Sequence, residues 1–329
     1  MEVNTRLDTM SNIASYYQVS SQTLQRHYKH GVSGYKEWGQ LSHAEDYLLY
    51  PDNIGEHLSI DEVSLSKGEL YTIVTNKEVN RQNKKSIVAV INGTEAKTIQ
   101  EVLEKIPLAK RKEVKEVSMD MARNMNLAAK NCFPDSKSVI DRFHVVRLVM
   151  DALQHVRVKL RWKAIDEENK GIDEAKKKGE KYQVKVLSNG DTLKELLARS
   201  RYLLYRLEAE WTPNQRKRAN LLFAKYPELK AVYHLTLSFR SLYKTVHKAD
   251  AITHFNNWKQ KAIDMKMEEL NTVAYSIEHH LEGILNFFDN RSTNAYAESF
   301  NSKIKGFRAN LRGVTDIKFF LFRLEKLFA

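Results

Sequence analysis

Between His57 and Asp141 the hydrophobic pattern switches back and forth between a period of two and a period of 3.6, which restricts the available folds more than any other feature of the chain. HLSIDEVSL (57–65), ELYTIVTN (69–76) and SIVAVING (86–93) are short runs rich in β-branched residues. The first two flank Ser66-Lys67-Gly68, with the spacing and residue types of a hairpin. TEAKTIQEVLEKIP (94–107) puts Ile99, Val102, Leu103 and Ile106 on one helical face and stops at Pro107. EVKEVSMD (113–120) reads as a fourth strand, MARNMNLAAKNCFP as a helix closing at Pro134, and SKSVID (136–141) as a fifth strand. The order β-β-β-α-β-α-β predicts a mixed sheet with helices packed on it, an α/β architecture.

On either side the pattern changes. From Phe143 to about Asn286 it is almost wholly helical, poor in Gly and Pro and rich in Lys and Arg, an expected all-α insertion over 143–286. The stretch 156–186 reads most simply as a solvated charged hairpin. Trp162, Tyr182, Tyr202, Tyr205 and Trp211 are nevertheless interleaved with its basic residues, a pattern that also suits phosphate tracking and base stacking. Near the N-terminus, Ile13, Ala14 and Tyr17 recur at helical spacing, Val19-Ser20-Ser21 interrupts, and Leu24 opens a second amphipathic series. This predicts a helix-turn-helix within 1–40, with Ser20 or Ser21 as cap and Gln22, Thr23, Gln25 and Arg26 able to reach bases and phosphates. An ordinary helical hairpin is the plainer reading. Residues 41–56, after Gly31, Gly34 and Gly39, have no periodicity and read as a linker. The expected sheet-bearing domain is 57–142 with 287–329.

Charge bears on the partner. Lys and Arg number 53 against 41 Asp and Glu, a net +12 over 329 residues, and such an excess favours a polyanion, nucleic acid first. No apolar run approaches the roughly 20 residues of a bilayer span, so no membrane partner is expected. The polar start MEVNTRLDTMSN resembles no secretory signal. The one cysteine, Cys132, makes neither an internal disulfide nor a zinc site. A reducing cytosol fits.

Two acids interrupt apolar strands. Asp61 sits inside the first and Asp120 ends the fourth; an acid there is unfavourable unless paired, hydrogen-bonded or bound to a cation. If those strands are neighbours, the two carboxylates can share a hard divalent ion. In STNAYAESFNSKIKG (292–306), Tyr296, Phe300, Ile304 and Phe307 make one helical face for docking, while Asn294, Glu298, Asn301 and Lys305 line another. Glu298 is the expected third ligand, and Lys303 and Lys305, with the two asparagines, are expected DNA contacts. Clustered carboxylates repel unless a cation neutralises them, and paired magnesium ions serve phosphodiester displacement.

This order of elements resembles the RNase H-like catalytic domain of DDE transposases. SMDMARNMNLAAKNCFPDSKSVIDRFHVVRLVMDAL (118–153) and STNAYAESFNSKIK are similar to the bacterial insertion-sequence transposases of the ISL-three group, the likeness covering about 57–325. It implies a triad of Asp61, Asp120 and Glu298, two magnesium ions (manganese as substitute), cleavage at transposon ends and joining of 3′-hydroxyls to target DNA. Asp141 and His144 match an accessory Asp-x-x-His signature, the alternative being a helix cap and a packed helix residue; Arg142 and Arg147 are expected phosphate contacts. Terminal inverted repeats and target DNA are the implied partners, a homodimer the active form, and the nucleoid-bearing bacterial cytoplasm the location. Many relatives carry an N-terminal zinc segment that these residues cannot build.

Three rivals stand beside it. HVVR (144–147) fits the His-x-x-Arg element of tyrosine recombinases, but the last tyrosine is Tyr296, on the docking face. A catalytically inactive, transposase-derived regulator and an RNase H-fold nuclease are the other two.

Overall fold

A computed structural model describes residues 2–66, 68–78 and 85–329. The hairpin expected at Ser66-Lys67-Gly68 therefore lies partly outside the described residues, at Lys67. The chain divides into two compact units, one of residues 1–141 with 289–329 and one of 142–288.

The first unit is built on a mixed sheet of β1 (Tyr47–Leu49), β2 (His57–Ser66), β3 (Glu69–Asn76), β4 (Ile87–Asn92), β5 (Glu116–Met119) and β6 (Lys137–Ile140), in the order β1-β4-β3-β2-β5-β6. β2, β3 and β4 form an antiparallel meander; β5 and β6 run parallel to β2. Every residue of β4 from Ile87 to Ile91 is buried, as a strand covered on both faces requires. α3 (Ala96–Leu103) and α5 (Arg123–Cys132) pack against each other and against β4, β5 and β6. A further short helix, α4 (Leu108–Lys112), follows Pro107.

Residues 41–56, expected as a linker, instead carry β1, whose Leu48 is wholly buried opposite Val90. Three residues are too few to show a period, so this strand exists by virtue of pairing with β4. The N-terminal helices α1 (Met10–Tyr16) and α2 (Ser21–His27) join the same core: Met10, Ile13, Tyr28, Tyr35 and Trp38 cluster with Phe319 and Phe322. Those phenylalanines belong to α15 (Ile317–Phe328). Thr9 and Ser20 cap α1 and α2, Ser20 accepting from the Thr23 amide. Arg323, 3% exposed, donates to the carbonyls of Val3, Arg6 and Asp8 and stacks on Phe307.

The second unit is all-α: α6 (Arg142–Lys177), α7 (Leu193–Arg199), α8 (Pro213–Lys225), α9 (Pro227–Leu242), α10 (Lys248–Asp264), α11 (Glu268–His279), α12 (Leu281–Leu285) and the start of α13 (Phe287–Asn290). α6 packs on α7, α9 and α11, around a core that includes Tyr233, Phe239, Phe255 and Trp258. In place of a charged hairpin, α6 runs unbroken through the basic stretch as far as Lys177, about 54 Å at ~1.5 Å per residue. No helix among the described residues is long and apolar enough to cross a membrane.

Candidate active site

The site is assembled by strand register. Ser59 of β2 pairs with Ser118 of β5, the last pair of that ladder, so the register carried two residues further brings Asp61 and Asp120 to the same end of the two strands. Met119 pairs with Ile140, and the Asp141 amide donates to the Met119 carbonyl, so Asp141 continues the row on β6. Three acids thus cross three parallel strands.

Side-chain alternation puts Asp120 on the face of Ser118, and this face is covered by α14 (Ala295–Asn310). α14 is amphipathic as expected: Phe300, Ile304 and Phe307 are buried against Val63, Leu65 and Ile73 of the sheet. Each such side chain contributes about 1.5–3 kcal/mol of burial. Tyr296 is half-buried, its hydroxyl 2.7 Å from that of Ser86.

Polar contacts fix the helix rotation. The Ser118 hydroxyl donates to Asn294 Oδ1 (3.1 Å), the Asn294 amide donates to Asp141 Oδ1 (3.4 Å), and Asn301 Nδ2 donates to Asp61 Oδ2 (2.7 Å). Glu298 lies between those two pins and is exposed. A carboxylate oxygen of Glu298 comes within 4.8 Å of one of Asp141. Asp61 Oδ1 also accepts from the Glu62 amide, and Asp120 Oδ1 from the Ala122 amide, both bonds locking carboxylate orientation.

Asn294 and Asn301 correct an expectation. Foreseen as DNA contacts, they are 0% and 4% exposed and turn inward to hold Asp141 and Asp61. The polar character of the helix face was legible; docking decides which of its members meet solvent. Lys303 and Lys305 are exposed on α14, as are Gln22, Thr23, Gln25 and Arg26 on α2. In the helical unit Arg142 is exposed with its guanidinium 5.9 Å from the Phe287 ring, Arg147 pairs with Asp151 at 3.7 Å, and His144 occupies the first turn of α6.

Beneath the row lies an ionic network that the sequence did not announce. Lys77 Nζ, its side chain 12% exposed, donates to Glu116 Oε1 (2.9 Å), to Ser118 (3.1 Å) and to Ser292. Asn290 reaches the other oxygen of Glu116. Burial pushes the Glu116 carboxyl up, but hydrogen bonds from Ser292, Lys77 and Asn290 and the Lys77 charge outweigh it, leaving a net downward shift. An acid two residues before Ser118 in the same strand was the available clue.

Asp141 and Glu298, whose carboxylate oxygens come within 4.8 Å of each other, offer the ligand type of magnesium and manganese rather than of softer metals. Asp61 and Asp120 carry the same ligand type at the same end of the sheet but do not fall within that 4.8 Å cluster. The local field is negative: the carboxyl of Glu62, on the opposite face of β2, is pushed up by burial and then by the charges of Asp120 and Asp61, with Asn124 opposing.

Comparison with known proteins agrees with this architecture. A family model described as a transposase, of the DDE type and ISL3 group, matches residues 58–324. The transposase for insertion sequence element IS1001 of Bordetella parapertussis is 24% identical over 274 residues, covering 83% of this chain and 61% of that relative. The chain thus spans about three-fifths of the length of the curated relative it matches. The mixed sheet, the long helical insertion and the extent of the family match together establish that the chain belongs to the ISL3 group of DDE transposases.

Proposed function

We propose that this protein cleaves the ends of an insertion sequence and joins the freed 3′-hydroxyls to target DNA, with Asp61, Asp120 and Glu298 as the catalytic carboxylates. The observation that carries the reading is the pair Asp61 and Asp120, brought to the same end of two neighbouring strands by register, with α14 laid across it so that Asn301 grips Asp61 and Glu298 sits one helical turn away. These three side chains would hold two divalent ions, magnesium or manganese, which when bound would supply charge neutralisation and activation of the attacking oxygen.

The chain's own residues do the rest. Asn301 and the Glu62 amide orient Asp61, and the Ala122 amide orients Asp120. Asp141 is 3% exposed and accepts from the leading amide of α14, so its role is to seat the helix that carries Glu298; His144 belongs to the same accessory pair. In cleavage a water oxygen bonds to phosphorus and the P–O3′ bond breaks, the 3′-oxygen leaving with a proton. In joining, that 3′-hydroxyl gives up its proton as its oxygen bonds to a target phosphorus, and the target P–O3′ bond breaks, the leaving 3′-oxygen taking up a proton. Gln22, Thr23, Gln25 and Arg26 contact terminal inverted repeats, while Arg142, Arg147, Lys303 and Lys305 contact phosphates. Synapsis of two ends makes a homodimer the active form.

The test uses oligonucleotides carrying the element's ends, with magnesium. Asp61→Asn, Asp120→Asn and Glu298→Gln are each expected to lose cleavage and joining while DNA binding persists. Full activity in Asp120→Asn refutes the assignment; cleavage without joining in the unaltered protein makes it a nuclease.

A further inference from the structure

The aromatic residues interleaved with basic ones in the helical unit divide sharply by burial. Trp211 is 7% exposed, stacks on Tyr233 and donates to the Leu203 carbonyl; it belongs to the core. Tyr202 is 71% exposed, and the Arg201 guanidinium lies over its ring, 5.4 Å from the centroid.

Arg201 is one of three arginines gathered there. Arg157 and Arg161 are one turn apart on α6, and Gln154 bridges the group, accepting from Arg157 Nε (2.7 Å) and donating to the Arg201 carbonyl (3.2 Å). Arg157 is 6% exposed, and its Nη1 donates to the Leu197 carbonyl in the last turn of α7 (2.9 Å). The Arg161 Nε is buried without a hydrogen-bond partner. The Arg157 guanidinium is pushed below its ordinary range by burial and then by the like charges of Arg201 and Arg161; only Tyr205 opposes.

Packing three cations together is unfavourable unless something negative sits among them. The carboxyl end of α7 offers partial charge of the right sign, about half an elementary charge, which offsets one guanidinium incompletely and leaves the others uncompensated. An exposed tyrosine beside a guanidinium cluster matches the chemistry of unpaired nucleotides: cations take the phosphates, and the ring takes a base face.

We propose that Arg161, Arg201 and Tyr202 form a binding site for single-stranded or unpaired DNA, the two arginines holding backbone phosphates, Tyr202 stacking on one base, and the buried Arg157 adding positive charge beneath them. The site is built wholly from residues of the helical unit. It rests on the reading that the chain acts on DNA, and adds that part of that DNA is held unpaired.

The experiment measures binding of a fluorescent single-stranded oligonucleotide by anisotropy over a range of salt, with the full chain as Arg161→Gln, Arg201→Gln, Tyr202→Ala and the charge-preserving pair Arg161→Lys/Arg201→Lys. Arg157 is left intact because it is buried, and circular dichroism melts confirm folding. Each lost arginine is expected to flatten the dependence of log K on log salt by about 0.7 for a single strand. Tyr202→Ala is expected to weaken binding roughly 5- to 100-fold without changing that slope. The lysine pair should restore the slope. Unaltered slope in both glutamine variants, or unaltered affinity in Tyr202→Ala, overturns the site while leaving the transposase reading intact, provided the unaltered protein still cleaves end DNA. Failure of the unaltered protein to bind or cleave any DNA overturns the underlying reading instead.

Discussion

Replacing Lys77 with Met keeps the aliphatic stem and removes the one charge that compensates Glu116, whose side chain is 5% exposed. Breaking a buried pair from one side costs about 3–5 kcal/mol, because the remaining charge has nowhere to go. The carboxyl has an escape, however: it can protonate. From its ordinary value of 4.5, carrying a proton at pH 7 costs about 3.4 kcal/mol, and at pH 5.5 only about 1.4 kcal/mol. With Lys77 present the Glu116 shift is downward, so its stabilising contribution is complete above pH 4.5 and is lost as pH falls through the folded-state value. With Lys77 absent, burial is expected to outweigh the remaining bonds from Ser292 and Asn290 and to turn the shift upward, the penalty then growing as pH rises above 4.5. The stability gap between the two proteins should therefore be about 3 kcal/mol at pH 7 and about half that at pH 5.5. Fluorine NMR of fluorotryptophan-labelled protein in urea isolates the relevant unit, since Trp38 lies in the sheet unit and Trp162, Trp211 and Trp258 in the helical one. Lys77→Met/Glu116→Gln should recover about 2 kcal/mol of the loss. A gap under about 1 kcal/mol at pH 7, or one of equal size at both pH values, refutes the charge-compensation argument.

Other consequences follow from single contacts. Asn301→Ala removes the 2.7 Å donor to Asp61 and should lower magnesium-dependent cleavage about 10- to 100-fold with DNA affinity unchanged; an unchanged rate dismisses the orienting role. Tyr296→Phe breaks only the bond to Ser86 and should keep full activity while losing about 1 kcal/mol in urea unfolding; abolished activity would point to a tyrosine nucleophile. Ile304→Ala empties a fully buried position between α14 and the sheet and should cost about 2–5 kcal/mol on the Trp38 resonance, a smaller loss meaning that α14 is not firmly seated.

What the sequence disclosed was what depends on local pattern. β2 to β6 were legible because alternation and β-branching survive in short windows, and the capping of α2 because Ser20 acts within its own turn. β1 and α4 were not, each being too short to carry a period. The unbroken α6 was obscured by the run of charges over 156–186, which also holds Gly171. In the fold a Cβ at that position would lie 2.8 Å from the Tyr182 ring, so glycine serves a close approach rather than a break. Within the site, Asp61 and Asp120 were visible as acids in apolar strands. Glu298 became a candidate through the motif around it, and Asn294 and Asn301 were misread because inward and outward polar positions look alike until the helix is docked. Lys77, just beyond a strand, reads as an ordinary turn cation; only the tertiary fold brings Glu116, Ser118 and Ser292 to it.

The same network explains how Glu298, so distant in sequence, is brought within 4.8 Å of Asp141. The helical unit leaves the sheet at Asp141, and the chain re-enters at Asp289, where Lys137 of β6 pairs with the Asp289 carboxylate at 2.9 Å. Asn290, Ser292 and Asn294 are then fastened in turn to Glu116, Lys77 and Asp141. The entropy of closing a loop grows only slowly with its length, so the intervening residues tax this arrangement little once the return point is stapled beside the exit. Rotation is the tighter demand, because a slip of one residue turns an α-helix by about 100° and would carry Glu298 away from the acid row. α14 is held against such a slip from two directions, by Phe300, Ile304 and Phe307 in the core and by Asn294 and Asn301 on the carboxylates. The asparagines thus perform a task that neither acids nor cations could: an acid there would add repulsion to the row, and a lysine would neutralise the carboxylates it touched.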